Sequence, residues 1–152
     1  MIILSLKEIE RLIPHRPPFL WLDEASIDDE AEPGEERTIL AGKRIDADLP
    51  LFEGHYPGAP LLPGVIQLEM CYQAGAVLIA ALGQGGGGLP VIARTDGVKF
   101  KRMIRPGDTC QVEVTIKDRL PGAVYLTGKV SVGGKLACRC DFTTAEAQPG
   151  AL

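Results

Sequence analysis

Residues 51–82 read LFEGHYPGAPLLPGVIQLEMCYQAGAVLIAAL, and this stretch decides the fold. Its first part is a loop, because Gly54, Pro57, Gly58 and Pro60 break any helical or strand periodicity. Pro63-Gly64 then opens one long helix, Val65 to Leu82, apolar on nearly every side. Such a helix has to be covered by the rest of the chain. Gln67, Glu69 and Gln73 interrupt it, and a central charge costs roughly 2.5–3.5 kcal/mol on membrane insertion. The sequence therefore predicts a buried helix of a soluble protein and no membrane partner.

The flanking sequence supplies the cover. Residues 5–13, SLKEIERLI, form a short amphipathic helix with Ser5 as cap and Glu8 at the capping-box spacing, ended by Pro14. Phe19 to Ile27 reads as a strand, DDEAEPGEE (28–36) as a solvated turn and Thr38 to Ile45 as the returning strand. Residues 46–64 hold Pro50, Pro57, Pro60 and Pro63 in a long loop whose apolar residues argue for order and function. GQGGGG (83–88) stops the helix. Four strands then follow, separated by Pro106-Gly107-Asp108, Pro121-Gly122 and Gly133-Gly134, before a frayed tail, AEAQPGAL. The reading is one α+β domain over 1–152, a six-stranded antiparallel sheet around one helix. One helix cannot cover both faces of such a sheet, which points to a dimer.

Composition narrows the function. At 152 residues, 45% hydrophobic and with a net charge of -4, the chain is an ordinary globular protein without the basic face that nucleic acid requires. Cys71, Cys110, Cys138 and Cys140 form no C-x-x-C pair and lie far from both histidines in sequence, so they predict free thiols in a reducing compartment and no zinc site. The N-terminal segment has early acidic residues and no small-residue cleavage site, so a cytoplasmic location is expected.

The chemistry gathers in the same central stretch. Glu69 sits among core residues, where an unpaired carboxylate tends to stay protonated and can act as a general acid; the structural alternative is a polar seam or a subunit interface. Gln73, four residues on, shares its face and can orient it. His55 lies on a loop of small residues and has the pKa range of a neutral-pH base. Gly64 and Val65 carry N–H groups without acceptors at the positive end of the helix, suited to a developing enolate or oxyanion. Cys71 stands off the Glu69 face and reads as core. Base, acid and oxyanion donors point to proton abstraction next to a carbonyl.

These residues resemble a known family. PHRPPFLWLDE (14–24), LFEGHYPGAPLLPGVIQLEMCYQAG (51–75) and KFKRMIRPGD (99–108) are similar, in order and over nearly the whole chain, to the signature blocks of (3R)-hydroxyacyl-ACP dehydratases of type II fatty acid synthesis. The resemblance implies the hotdog fold, a homodimer that can assemble as a trimer of dimers, and no metal or redox cofactor. By position, it implies that His55 removes the C2 proton, Glu69 of the opposite protomer protonates the departing C3 hydroxyl, and the Gly64 N–H polarises the thioester carbonyl. Glu rather than Asp at position 69 favours the branch that dehydrates without isomerising. Tyr72 stands where the family often has a small residue, and Gly97-Val98-Lys99-Phe100 and the GQGGGG connector also depart from its pattern. Lys99, Lys101, Arg102 and Arg105 form a basic cluster, readable as a solvated turn or as a docking patch for acidic acyl carrier protein. A hotdog thioesterase and an idle acyl-thioester-binding homologue are the alternatives.

Overall fold

The computed structural model describes residues 1–83 and 88–148. Its centre is the helix α2, Gly64–Ala81, rich in Leu, Ala, Met and Gln, which favour helix. Pro63 is its cap rather than its first residue. Gly83 ends it in the left-handed region at φ 62, the usual role of glycine just past a helix. The other helix, α1 (Leu6–Leu12), starts as its sequence predicts: Glu8 accepts hydrogen bonds from the Ser5 backbone N–H and the Ser5 hydroxyl, each 2.7 Å.

The strands are β1 (Ile2–Leu4), β2 (Glu24–Ile27), β3 (Arg37–Arg44), β4 (Leu89–Phe100), β5 (Thr109–Leu120), β6 (Ala123–Val132) and β7 (Lys135–Ala147). They form one antiparallel sheet in the order β1-β2-β3-β5-β6-β7-β4, wrapped around α2. This is the hotdog arrangement. Gly133 and Gly134 both have positive φ in the β6–β7 turn, the geometry that tight hairpins demand.

Two glycines let the helix sit close on the sheet. A Cβ on Gly75 would lie 3.0 Å from the Phe142 ring, and one on Gly128 would lie 2.8 Å from the Cys71 side chain. Around this contact Met70, Ala74, Val77, Leu78, Val112, Val114 and Val130 are fully buried. By length and hydropathy α2 could cross a membrane, but nine of its residues are buried in this core.

Four expectations are corrected. The sheet has seven strands rather than six, because Ile2–Leu4 pairs with β2; three residues are too few to show a period of two. The strand expected over Phe19 to Ile27 shrinks to Glu24–Ile27, since the backbone at Phe19 and Trp21 bonds to the Gln73 side chain instead of a neighbouring strand. The strand expected over Thr38 to Ile45 lies one residue earlier. Ala145 to Ala147 belong to β7 rather than to a frayed tail. Residues 84–87 of the GQGGGG connector and 149–152 of the tail lie outside the described residues.

Candidate active site

His55 sits on the loop between the short 3-10 turn Pro50–Glu53 and α2. Its Nδ1 lies 2.7 Å from the Leu61 carbonyl oxygen. A carbonyl can only accept, so Nδ1 carries the proton and Nε2 of the neutral ring keeps its lone pair, the state a general base needs. The loop is pinned where Leu62 N–H donates to the Ile104 carbonyl at 2.8 Å. Next to the histidine, Tyr56 takes a positive φ of 52 and sets its ring edge-on to the imidazole at 4.6 Å. A non-glycine residue held there is conformationally costly, which is typical of a chain segment fixed for a purpose.

Glu69 lies in the second turn of α2 with 19% of its side chain exposed. It is not isolated. Gln73 Nε2 donates to Glu69 Oε1 at 3.1 Å, and His15 Nε2 stands 3.6 Å from the same oxygen. The second distance is too long for a hydrogen bond but close for an electrostatic neighbour. Gln73 is fully buried. Its Nε2 also donates to the Phe19 carbonyl at 2.7 Å, and its Oε1 accepts from the Trp21 N–H at 2.8 Å. One amide therefore clamps the PHRPPFLW segment to the helix and holds the carboxylate as well.

His15 is the residue that sequence reasoning missed. It lies 54 positions from Glu69, and its only signal was membership of the first signature block. Its Nδ1 is buried with no hydrogen-bond partner among the described residues.

The N–H groups of Gly64 and Val65 have no acceptor among the described residues, since the first backbone bonds of the helix run from Ile66 and Gln67 to the Pro63 carbonyl. Position 64 has a further reason to be glycine. A Cβ there would lie 2.9 Å from the Phe100 ring at the end of β4. One turn beyond Glu69, the Tyr72 hydroxyl bonds Thr95 Oγ1 of β4 at 2.8 Å, and its ring meets Phe142 edge-on at 5.2 Å. Burial pushes the Tyr72 phenol up from its ordinary value.

Within one chain no hydrogen bond or ion pair joins His55 to Glu69 among the described residues. The cysteines take no part: all four are free and buried. Burial pushes Cys110 and Cys138 up to about 12, and the hydrogen bond to Cys140, then burial, raises Cys71. Lys101, Arg102 and Arg105 are exposed just after β4, Lys99 is exposed within it, and none of the four forms an ion pair among the described residues.

Three comparisons bear on this arrangement. Residues 30–132 match the family model described as ApeI-like, ApeI dehydratase. The chain is 40% identical over 147 residues to the 3-hydroxyacyl-[acyl-carrier-protein] dehydratase FabZ of Chloroflexus aggregans, covering 97% of this chain and 99% of that one. It is also 40% identical to the FabZ of Natranaerobius thermophilus, covering 93% and 96% respectively. Among solved structures, the dehydratase heterocomplex ApeI:P from Xenorhabdus doucetiae superposes with a TM-score of 0.73 at 14% identity, over 94% of this chain and 93% of that one. The E. coli PaaI protein of the phenylacetic acid degradation operon gives 0.58 at 13% identity, over 80% and 82%. At such identities the structural likenesses speak for the fold alone.

Proposed function

This chain belongs to the 3-hydroxyacyl-[acyl-carrier-protein] dehydratase family, and on that premise we propose that His55 and Glu69 divide the acid–base work of its reaction. The enzyme is a hydro-lyase that dehydrates 3-hydroxyacyl-ACP in fatty acid biosynthesis. His55 Nε2 takes the C2 proton. The electron pair moves through the enolate, whose oxygen lies on the free N–H groups of Gly64 and Val65. Glu69 gives its proton to the C3 hydroxyl, which leaves as water as the C2–C3 double bond forms. The His55 proton then passes back to Glu69 through solvent, so the cycle consumes nothing but substrate. The product is the trans-2-enoyl thioester of a (3R)-hydroxyacyl substrate.

The observation that carries this reading is the 2.7 Å contact between His55 Nδ1 and the Leu61 carbonyl oxygen, from which follows a proton on Nδ1 and an Nε2 free to accept one. Gln73 supports the second half of the mechanism by holding one Glu69 oxygen. The working unit is a homodimer in which His55 of one protomer serves Glu69 of the other, and a trimer of such dimers needs no further residue. β4 favours this arrangement. It is a twelve-residue edge strand with Leu89, Ile92, Val98 and Phe100 exposed, and an edge of that kind invites a second copy. The unpaired Lys99, Lys101, Arg102 and Arg105 serve an acidic carrier protein, and the location is cytoplasmic. The thioesterase alternative is not better supported, and a thiol-release assay separates the two.

Hydration of a crotonyl thioester, followed by loss of enoyl absorbance, tests the mechanism. His55→Ala and Glu69→Gln should each lose about 100- to 10,000-fold in rate, the span of a positioned acid or base. Mixing the two inactive variants and allowing subunit exchange should restore about a quarter of wild-type activity, because half of the dimers are mixed and each has one intact site. Wild-type rates in His55→Ala would overturn its role, and no recovery despite proven exchange would overturn the shared site.

A further inference from the structure

We propose that Tyr72 is a specificity-determining residue that closes the acyl channel one turn beyond Glu69 and restricts the enzyme to short acyl chains. The inference rests on the reaction geometry proposed above and goes on from it. With the thioester carbonyl at Gly64 and Val65 and C3 beside Glu69, the substrate runs along α2 toward its C-terminal end, and so must the remainder of its tail.

Only one side of α2 is open to such a tail. Gln67, Met70, Cys71, Gln73, Ala74, Gly75, Val77, Leu78 and Ile79 are buried. The row that the chain's own sheet covers only in part is Val65, Glu69, Tyr72, Ala76 and Ala80, at helical spacings of three and four; Val65 is exposed and the other four are half-buried. Tyr72 is the next residue of that row after Glu69, about 4.5 Å further along the axis. Its ring cannot swing aside freely. The hydroxyl is tied to Thr95 on β4 at 2.8 Å, and the ring edge rests on Phe142 of β7, so the side chain spans the seam between the helix and the edge strand.

Beyond the tyrosine the same row continues with Ala76 and Ala80, whose methyl groups leave the helix surface shallow. The obstruction is therefore local: a single aromatic ring stands between the site of chemistry and a smooth continuation of the row. Removing the ring should join the two, and each methylene then buried is worth about 0.8 kcal/mol, or about fourfold in kcat/KM.

The test compares kcat/KM for 3-hydroxybutanoyl and 3-hydroxydodecanoyl thioesters of acyl carrier protein. Wild type should favour the butanoyl substrate. Tyr72→Ala should shift the ratio toward dodecanoyl by at least about tenfold. Tyr72→Phe, which keeps the ring but loses the tie to Thr95, should shift it less. If Tyr72→Ala fails to fold, Tyr72→Leu carries the same expectation while keeping an apolar contact to Phe142. A folded Tyr72→Ala or Tyr72→Leu with an unchanged ratio overturns the proposal, as does a wild-type enzyme that prefers the dodecanoyl substrate. Glu69→Gln, assayed on both substrates in parallel, keeps the two readings apart. Retained activity there removes the mechanism, whereas an unchanged chain-length ratio removes only the role of Tyr72.

Discussion

Two buried glutamines on one helix offer a controlled test of what holds this fold together. Gln73 and Gln67 both lie on α2 and both are buried, at 0% and 3% exposure. Their polar atoms differ in what they meet. Gln73 satisfies the Trp21 N–H, the Phe19 carbonyl and one Glu69 oxygen, whereas Gln67 Oε1 is buried with no partner among the described residues. Gln73→Leu strands the N–H of Trp21, a residue only 4% exposed, and an unsatisfied buried donor costs about 1–3 kcal/mol. The Phe19 carbonyl adds less, because Phe19 is half exposed and water can reach it. The expected loss is about 2–3 kcal/mol, or a fall in Tm of about 4–12 °C for a chain of this size.

Gln67→Leu should behave in the opposite sense. It removes an acceptor that is already desolvated and unpaired, so stability should hold or rise by up to about 1 kcal/mol. Urea unfolding read through Trp21 fluorescence is the natural assay, since Trp21 is the single tryptophan and its own N–H makes the bond in question. An unchanged m-value keeps the comparison within two-state behaviour. Equal losses in the two variants, or a Gln73→Leu protein within about 0.5 kcal/mol of wild type, would refute the reasoning.

Two further outcomes are expected. Native protein at pH 8 should resist iodoacetamide at all four cysteines and react fully in denaturant, and because Cys110 and Cys138 ionise near 12 only when folded, stability should fall as pH rises above ~8.5, where the unfolded thiols begin to ionise. A thermal scan across that range measures the fall, and a flat profile would contradict it. Lys101→Glu combined with Arg102→Glu should lower kcat/KM for carrier-bound substrate by about tenfold or more, less so at high salt, while sparing a small thioester analogue; equal loss on both would end the docking role.

How much of this was legible in the sequence follows from the range of each interaction. The central helix, the hairpin turns at Pro121-Gly122 and Gly133-Gly134, and the Ser5–Glu8 cap rest on local patterns and could be read directly. The candidate acid and base could also be read, because each stands in a short segment with its own chemistry. What stayed hidden were contacts between distant segments. Gln73 was legible as a neighbour of Glu69 at four residues' spacing, but not as the clamp on Phe19 and Trp21, more than fifty positions away, that shortens β2. His15 beside Glu69 and Phe100 over Gly64 belong to the same class. No periodicity encodes a pairing of that kind; it exists only once the sheet has wrapped.

Those distant contacts also bear on the proposed division of the site between two protomers. Glu69 is anchored through Gln73 to the Phe19–Trp21 segment and faces His15, so the candidate acid is held by the core. His55 is anchored separately, through Leu61 on its own loop and through Leu62 to Ile104 after β4. Neither set of anchors shares a residue with the other, and no hydrogen bond or ion pair joins them among the described residues. An acid and a base built into one pocket would gain by sharing supports, since each catalytic group must be held to within a fraction of an ångström. Each candidate group has its own supports, and in the proposed shared site it meets its chemical partner on the other protomer. In the proposed dimer, pairing along β4 brings the two halves together, so that the strand edge which would otherwise be an aggregation hazard becomes the element that assembles the catalytic pair.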